Sequence, residues 1–246
     1  MNKWKESELV RSLLGFFLLF LLFVGLFIFV VPSTHQSSKV AERIKSIKNE
    51  KVTYVAIGDS LTQGVGDSSN QGGFVPVLSQ ALESDFDWQV TSRNYGIAGN
   101  TSNQILKRMQ EKKDIQRDLK KAKVMTLTVG GNDVIHVIKD NITNLNVDTF
   151  TKPAQAYQKR LGQIIELARK DNKTLPIYIV GIYNPFYLNF PEMTEMQTIV
   201  DNWNQSTEEV CKKYNNVYFV PVNDLLYKGI DGKGGVTSSD DSSQSS

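Results

Sequence analysis

An α/β fold built on a parallel sheet is predicted by three observations. Five short apolar runs rich in β-branched residues recur along the chain, amphipathic stretches separate them, and each of the first three runs stops at a polar, glycine-containing turn. Strands alternating with helices form crossover units, and the sheet they build is covered on both faces.

The elements follow in order. Val52–Ile57 is the first strand, and Gly73–Ser84 reads as a helix leading to a second strand at Trp88–Arg93. Ser102–Glu111 is the next helix and Lys123–Val129 the third strand. In Pro153–Lys170 the residues Leu161, Ile164, Ile165 and Ala168 form one apolar stripe opposite Lys159, Arg160 and Lys170, and Pro153 suits a first helical turn. Leu175–Gly181 is the fourth strand, with Pro176 tolerated at its start. Helix Glu195–Lys213 then leads to the last strand, Asn216–Val220, and to the apolar run Pro221–Leu226.

The chemistry sits where strands end. Gly58-Asp59-Ser60-Leu61 lifts a hydroxyl off the carboxyl edge of the first strand, the edge at which open α/β sheets bind ligands. A serine nucleophile needs something to take its proton and something to stabilise the oxyanion it creates. After the second strand comes Asn94-Tyr95-Gly96-Ile97-Ala98-Gly99-Asn100, where a glycine lets a backbone N–H approach a substrate. After the third comes Gly130-Gly131-Asn132-Asp133, where the Asn132 amide can donate to the same oxygen. Asp59 reads as a residue that caps or orients its turn; Asp133 either orients a neighbour or caps the helix that follows.

Taken in this order and spacing, the Gly58 block, the glycine of Tyr95-Gly96-Ile97 and the Gly130 block resemble the first three sequence blocks of the SGNH or GDSL hydrolases, a family of esterases and lipases. The resemblance covers about residues 50 to 225. It implies a three-layer α/β/α sandwich of flavodoxin-like type with five parallel strands. It also implies that Ser60 is the nucleophile and shares the oxyanion hole with Gly96 and Asn132. The substrate class it leaves open: phospholipid, lipoprotein acyl chain, O-acetylated wall sugar or small ester.

One block departs from the pattern. The family's Asp-x-x-His, which supplies the general base and its orienting carboxylate, has no counterpart here, and the chain holds only His35 and His136. His35 precedes the domain and reads as a bystander. His136 follows Asn132 closely, but nearness in sequence does not provide the roughly 2.6–3.2 Å approach a base requires, so it reads as a surface or pocket-lining residue. The end of the chain, Ser238 to Ser246, is almost all Ser and Asp, a composition that cannot bury apolar surface. The expectation is a chain truncated or diverged just short of its base. It is then a weak esterase or, alternatively, an inactive surface binding or scaffold module of the same fold.

Composition narrows the rest. With a formal net charge of +2 and mixed signs, no basic stripe argues for nucleic acid. The locally basic Lys107 to Lys123 is interrupted by Glu111, Asp114 and Asp118 and reads as a solvated helix face. Single Cys211 excludes an internal disulfide and reads as a packed thiol. Gly64-Val65-Gly66-Asp67 with Gln71-Gly72-Gly73 fits neither nucleotide-binding glycine pattern, and no cluster has metal-ligand spacing, so no cofactor and no metal are expected. Tyr183 to Pro191 is too proline-rich for a helix and should loop over the crevice, its aromatics offered to an acyl chain or a sugar ring or filling the space beneath the loop.

At the amino terminus, Leu13–Val31 is uncharged and nineteen residues long, close to the roughly 20 that cross a bilayer. It lacks a small-residue cleavage site, and Lys3, Lys5 and Arg11 precede it, so residues 1–12 are expected in the cytoplasm and the domain outside. Residues 32–50 read as a linker in which Val40, Ile44 and Ile47 form one helical stripe, 51–230 as the hydrolase-like domain and 231–246 as a disordered tail.

Overall fold

The computed structural model describes residues 49–68, 71–141, 143, 146–185 and 194–228. The expected anchor, the amphipathic stripe of Val40 to Ile47, His35 and the Ser/Asp-rich tail lie outside these. Among the described residues no helix is long and apolar enough to cross a membrane.

Five strands, β1 (Lys51–Gly58), β2 (Gln89–Gly96), β3 (Ala122–Thr128), β4 (Ile177–Val180) and β5 (Val217–Val220), form one sheet in the order β2-β1-β3-β4-β5, every pair parallel. The helices are α1 (Ser60–Gln63), α2 (Phe74–Phe86), α3 (Ser102–Glu111), α4 (Lys113–Lys121), α5 (Gly131–Asp140), α6 (Thr151–Ala168), α7 (Thr194–Cys211) and α8 (Asn223–Lys228). A 3₁₀ turn, Val147–Phe150, leads into α6. The expected α/β fold with five parallel strands is what the chain forms.

Strand alternation divides the interior in two. Val55, Ile57, Met125, Leu127, Ile177 and Ile179 point to one face, where they join buried side chains of α3, α4, α5, α6 and α7 in the main core. The stripe read from sequence on α6 is part of it, since Leu161, Ile164 and Ile165 are fully buried. On the other face Tyr54, Ala56 and Val124 pack against Phe74, Val75, Leu78 and Leu82 of α2 and against Val90 of β2.

The structure corrects some sequence expectations. The basic stretch breaks into two helices at Lys112, whose backbone is extended, and Asp118 within it is buried rather than solvated. Asp118 accepts a hydrogen bond from the Tyr95 hydroxyl at 2.8 Å and pairs with Arg93 and Arg117. Strand β4 starts after Pro176, and the run after β5 forms the short helix α8. Cys211 is buried as expected, and burial pushes its thiol up to about 11.

Parallel register brings the strand ends level. Gly58 pairs with Gly96, Ile57 with Leu127 and Thr128 with Val180, so the turns after β1, β2 and β3 all emerge along one edge. Gly58 has no room for a side chain: a Cβ there would sit 2.1 Å from Thr128 Oγ1 and 2.5 Å from Thr62 Oγ1. Gly58→Ala is therefore expected to destabilise the fold by about 3 kcal/mol or more, measured by urea unfolding against the parent.

Candidate active site

The turn that carries Ser60 is fixed by hydrogen bonds from β3. Asp59 is the N-cap of α1, its Oδ1 accepting from the Leu61 N–H at 3.1 Å. The Thr128 hydroxyl donates to the same Oδ1 at 2.8 Å and accepts from the Asp59 N–H at 3.2 Å. Thr62 Oγ1 lies 2.8 Å from Thr128 Oγ1 and donates to the Ile57 carbonyl. Asp59 thus caps its turn, as its position suggested. Burial raises its pKa above the ordinary carboxylate value; the Thr128 hydroxyl and the Leu61 N–H pull the other way, and the nearby Asp133 charge adds to the rise.

Ser60 and Asn132 line one crevice above the ends of β1, β3 and β4, with a volume of ≈ 220 Å³. Its walls come from Ile135 and Ile138 of α5, Met196 and Val200 of α7, and Tyr183 and Pro185 after β4. Of the expected aromatic loop, the residues from Phe186 to Pro191 lie outside the described ones. Ser60, at the first position of α1, has an N–H with no partner inside the helix. One hydrogen of the Asn132 amide goes to the Asn100 carbonyl at 3.0 Å, which leaves the second for another acceptor.

Gly96 does not meet the expectation of a free backbone donor. Its N–H donates to Asn94 Oδ1 at 2.8 Å, and its Cα is pressed against α1, where a Cβ would lie 2.1 Å from the Gln63 nitrogen. Here glycine serves close packing of strand on helix. The same loop holds Gly99 in a left-handed conformation (φ 78°), with open space around it and no acceptor for its N–H among the described residues. Gly99 adjoins Asn100, the residue tied to Asn132. A sequence signal was present, because Thr101 and Gln104 form a capping box at the start of α3 and make Gly99-Asn100 the loop presented before a helix.

Asp133 orients a neighbour and does not cap its own helix, whose N-cap is Gly130. Buried at 7% exposure, its carboxylate accepts from the Ser102 N–H (2.8 Å) and hydroxyl (2.6 Å) and from Arg160 Nη2 (3.2 Å). Arg160 Nε also donates to Ser102 Oγ at 2.7 Å. The start of α3 is thereby fastened to the start of α5. Sequence reading placed Arg160 on the polar side of its helix and missed this contact. His136 is exposed on α5 and does not line the crevice.

The family model described as GDSL-like Lipase/Acylhydrolase matches residues 56–240. The chain belongs to the GDSL-like lipase/acylhydrolase family. It is 32% identical over 196 residues to the protein YpmR of Bacillus subtilis (strain 168), described as uncharacterized, spanning 79% of this chain and 76% of that one. It is also 30% identical over 138 residues to the spore germination lipase LipC of Bacillus licheniformis, spanning 54% of this chain and 64% of the lipase. Among solved structures, the lipase Lip_vut3 from a goat rumen metagenome shares the fold with a TM-score of 0.64 at 23% identity, covering 74% of this chain and 88% of that one.

The raised pKa of Asp59 gives a pH-dependent expectation. Its folded state favours the neutral acid, so the stability it contributes is present below the ordinary carboxylate value and is lost as pH rises through the raised one. Asp59→Asn keeps an oxygen acceptor and never ionises. Urea unfolding from pH 4 to 8 should show the variant gaining on the parent toward neutral pH, with the difference closing on acidification.

Proposed function

We propose that this chain hydrolyses carboxylic esters through attack of Ser60 Oγ on the acyl carbon. The observation that carries the reading is that Ser60 and the Asn132 amide line one crevice, with a free Asn132 hydrogen beside the Gly99-Asn100 loop. The oxyanion formed on attack accepts from the Ser60 N–H, from Asn132 Nδ2 and from the Gly99 N–H, which replaces Gly96 in that role. Donors fixed in place before the charge develops need no reorganisation when it does, and this is the source of their effect. Asn132 is held by Asn100, and the Gly99 loop by the Asp133–Ser102 contacts behind it.

Among the described residues no base is hydrogen-bonded to the Ser60 hydroxyl. His136 is the one histidine among the described residues and it faces solvent. Removal of one oxyanion donor costs about 2.7–4 kcal/mol of barrier. Asn132→Ala should therefore lower turnover of a short-chain aryl ester a hundredfold or more. A fluorophosphonate probe should label the parent and not Ser60→Ala; equal labelling of both would remove Ser60 from the reaction.

We further infer that Leu13–Val31 holds the chain in a membrane with the domain on the outer side. The reading is supported by that segment's length, its lack of charge and the basic residues before it. The full chain should stay in the membrane fraction through alkaline carbonate washing, and a chain starting at residue 33 should not.

A further inference from the structure

Two buried carboxylates flank the crevice, and among the described residues only one of them has a cation beside it. Asp59 directly precedes Ser60 and Asp133 directly follows Asn132, so each adjoins a residue that lines the site. Both are buried, at 5% and 7% exposure. No described cation pairs with Asp59, whereas Arg160 Nη2 lies 3.2 Å from Asp133 Oδ1. The two acids feel each other, since the charge on Asp133 adds to the rise that burial gives Asp59. Tyr157 is a further titratable group within reach of the Asp133 charge, and burial pushes its hydroxyl well above the ordinary value, so it stays neutral.

Arg160 reaches this place from α6, where it stands three residues after Tyr157 and so shares its helix face. Its Nε donates to Ser102 Oγ at 2.7 Å while Nη2 serves Asp133. Ser102 already gives the carboxylate two hydrogen bonds, one from its N–H and one from its hydroxyl. Those two bonds fix where Asp133 lies. What Arg160 adds is charge. Exposed ion pairs are screened by water and contribute little, but here the acid is buried and the guanidinium is only 26% exposed, so the field of each is felt nearby. A bare carboxylate one residue from Asn132 would oppose any negative charge that the Asn132 amide is placed to receive.

We propose that Arg160 is a positioning residue of the Ser60 crevice that cancels the charge of Asp133, so that the oxyanion held by Asn132 does not form against an uncompensated carboxylate. The inference rests on the ester-hydrolase reading and concerns the same site. It separates two tasks within one cluster: Ser102 places the acid, and Arg160 balances it.

The experiment uses the full chain in an uncharged detergent, as the parent, Arg160→Gln, Arg160→Lys and the double variant Arg160→Gln with Asp133→Asn. Gln keeps a donor for Ser102 without the charge, and Asn keeps an acceptor for the Ser102 N–H without the carboxylate. The first readout is the pH midpoint at which Asp59 titrates, taken from urea unfolding of each protein against the same protein carrying Asp59→Asn. Arg160→Gln is expected to raise that midpoint by about half a unit or more, the double variant to return it to the parent value or below, and Arg160→Lys to restore it. The second readout is hydrolysis of p-nitrophenyl acetate. In Arg160→Gln kcat should fall about fivefold or more with KM little changed, and the double variant and Arg160→Lys should each recover most of the loss. A role confined to holding α6 against α3 and α5 leaves the Asp59 midpoint where it is and makes the double variant worse than the single one; either result overturns the proposal. So does a moved midpoint with kcat unchanged. A parent that neither hydrolyses the acetate nor reacts with a fluorophosphonate at Ser60 removes the enzyme reading instead. The Asp59 midpoint then decides alone: a shift keeps Arg160 as the balance between the two acids, and no shift ends that role.

Discussion

The Thr128 hydroxyl is the contact on which the site depends. It bridges the end of β3 to the turn after β1, donating to Asp59 Oδ1 and accepting from the Asp59 N–H. A hydrogen bond to a charged group contributes about 1.5–3 kcal/mol, and leaving a buried carboxylate without one costs more than the bond itself gives. The turn is thus held in one conformation, with Ser60 at the sheet's edge. Gly58 follows from the same contact, because the two threonine hydroxyls fill the space a side chain would need.

A second buried carboxylate does for the other loops what Asp59 does for the first. Asp133 joins the N-terminus of α3 to that of α5, with Arg160 reaching in from α6. A buried charge is tolerated when it is paired and its remaining lone pairs are satisfied, and Asp133 meets both conditions. The result is that Asn132 and the Gly99-Asn100 loop are set by rigid elements, which is what a preorganised site requires. Among the described residues α2 packs on one face of the sheet and five helices on the other.

Much of the fold was legible because parallel strands buried on both faces are written as continuous apolar runs. Val52–Ile57 and Lys123–Val129 were found within a residue or two for that reason. α4 was less visible. Its face is dominated by Lys and Asp, and three buried positions, Ile115, Asp118 and Leu119, carry its packing. That Ser60 and Asn132 lie at glycine-marked strand ends was readable, and the structure places both on one crevice. Gly96 and Gly99, three residues apart, look alike in sequence, and only the neighbours of each tell them apart: the Gly96 N–H is taken by Asn94 Oδ1. One is pressed on α1 and the other has open space around it.

The sequence by itself determined the order of strands and helices, the hydroxyl and carboxamide at their ends, and the family to which they point. Those features are local: periodicity of 2 or 3.6, a glycine where a strand must stop, a polar residue after it. Tertiary structure alone decided that Thr128 grips Asp59, that Arg160 turns inward to Asp133, and that His136 faces solvent. Each joins residues from different elements, most of them tens of positions apart, and their meeting is set by strand register and helix packing, quantities no local pattern encodes.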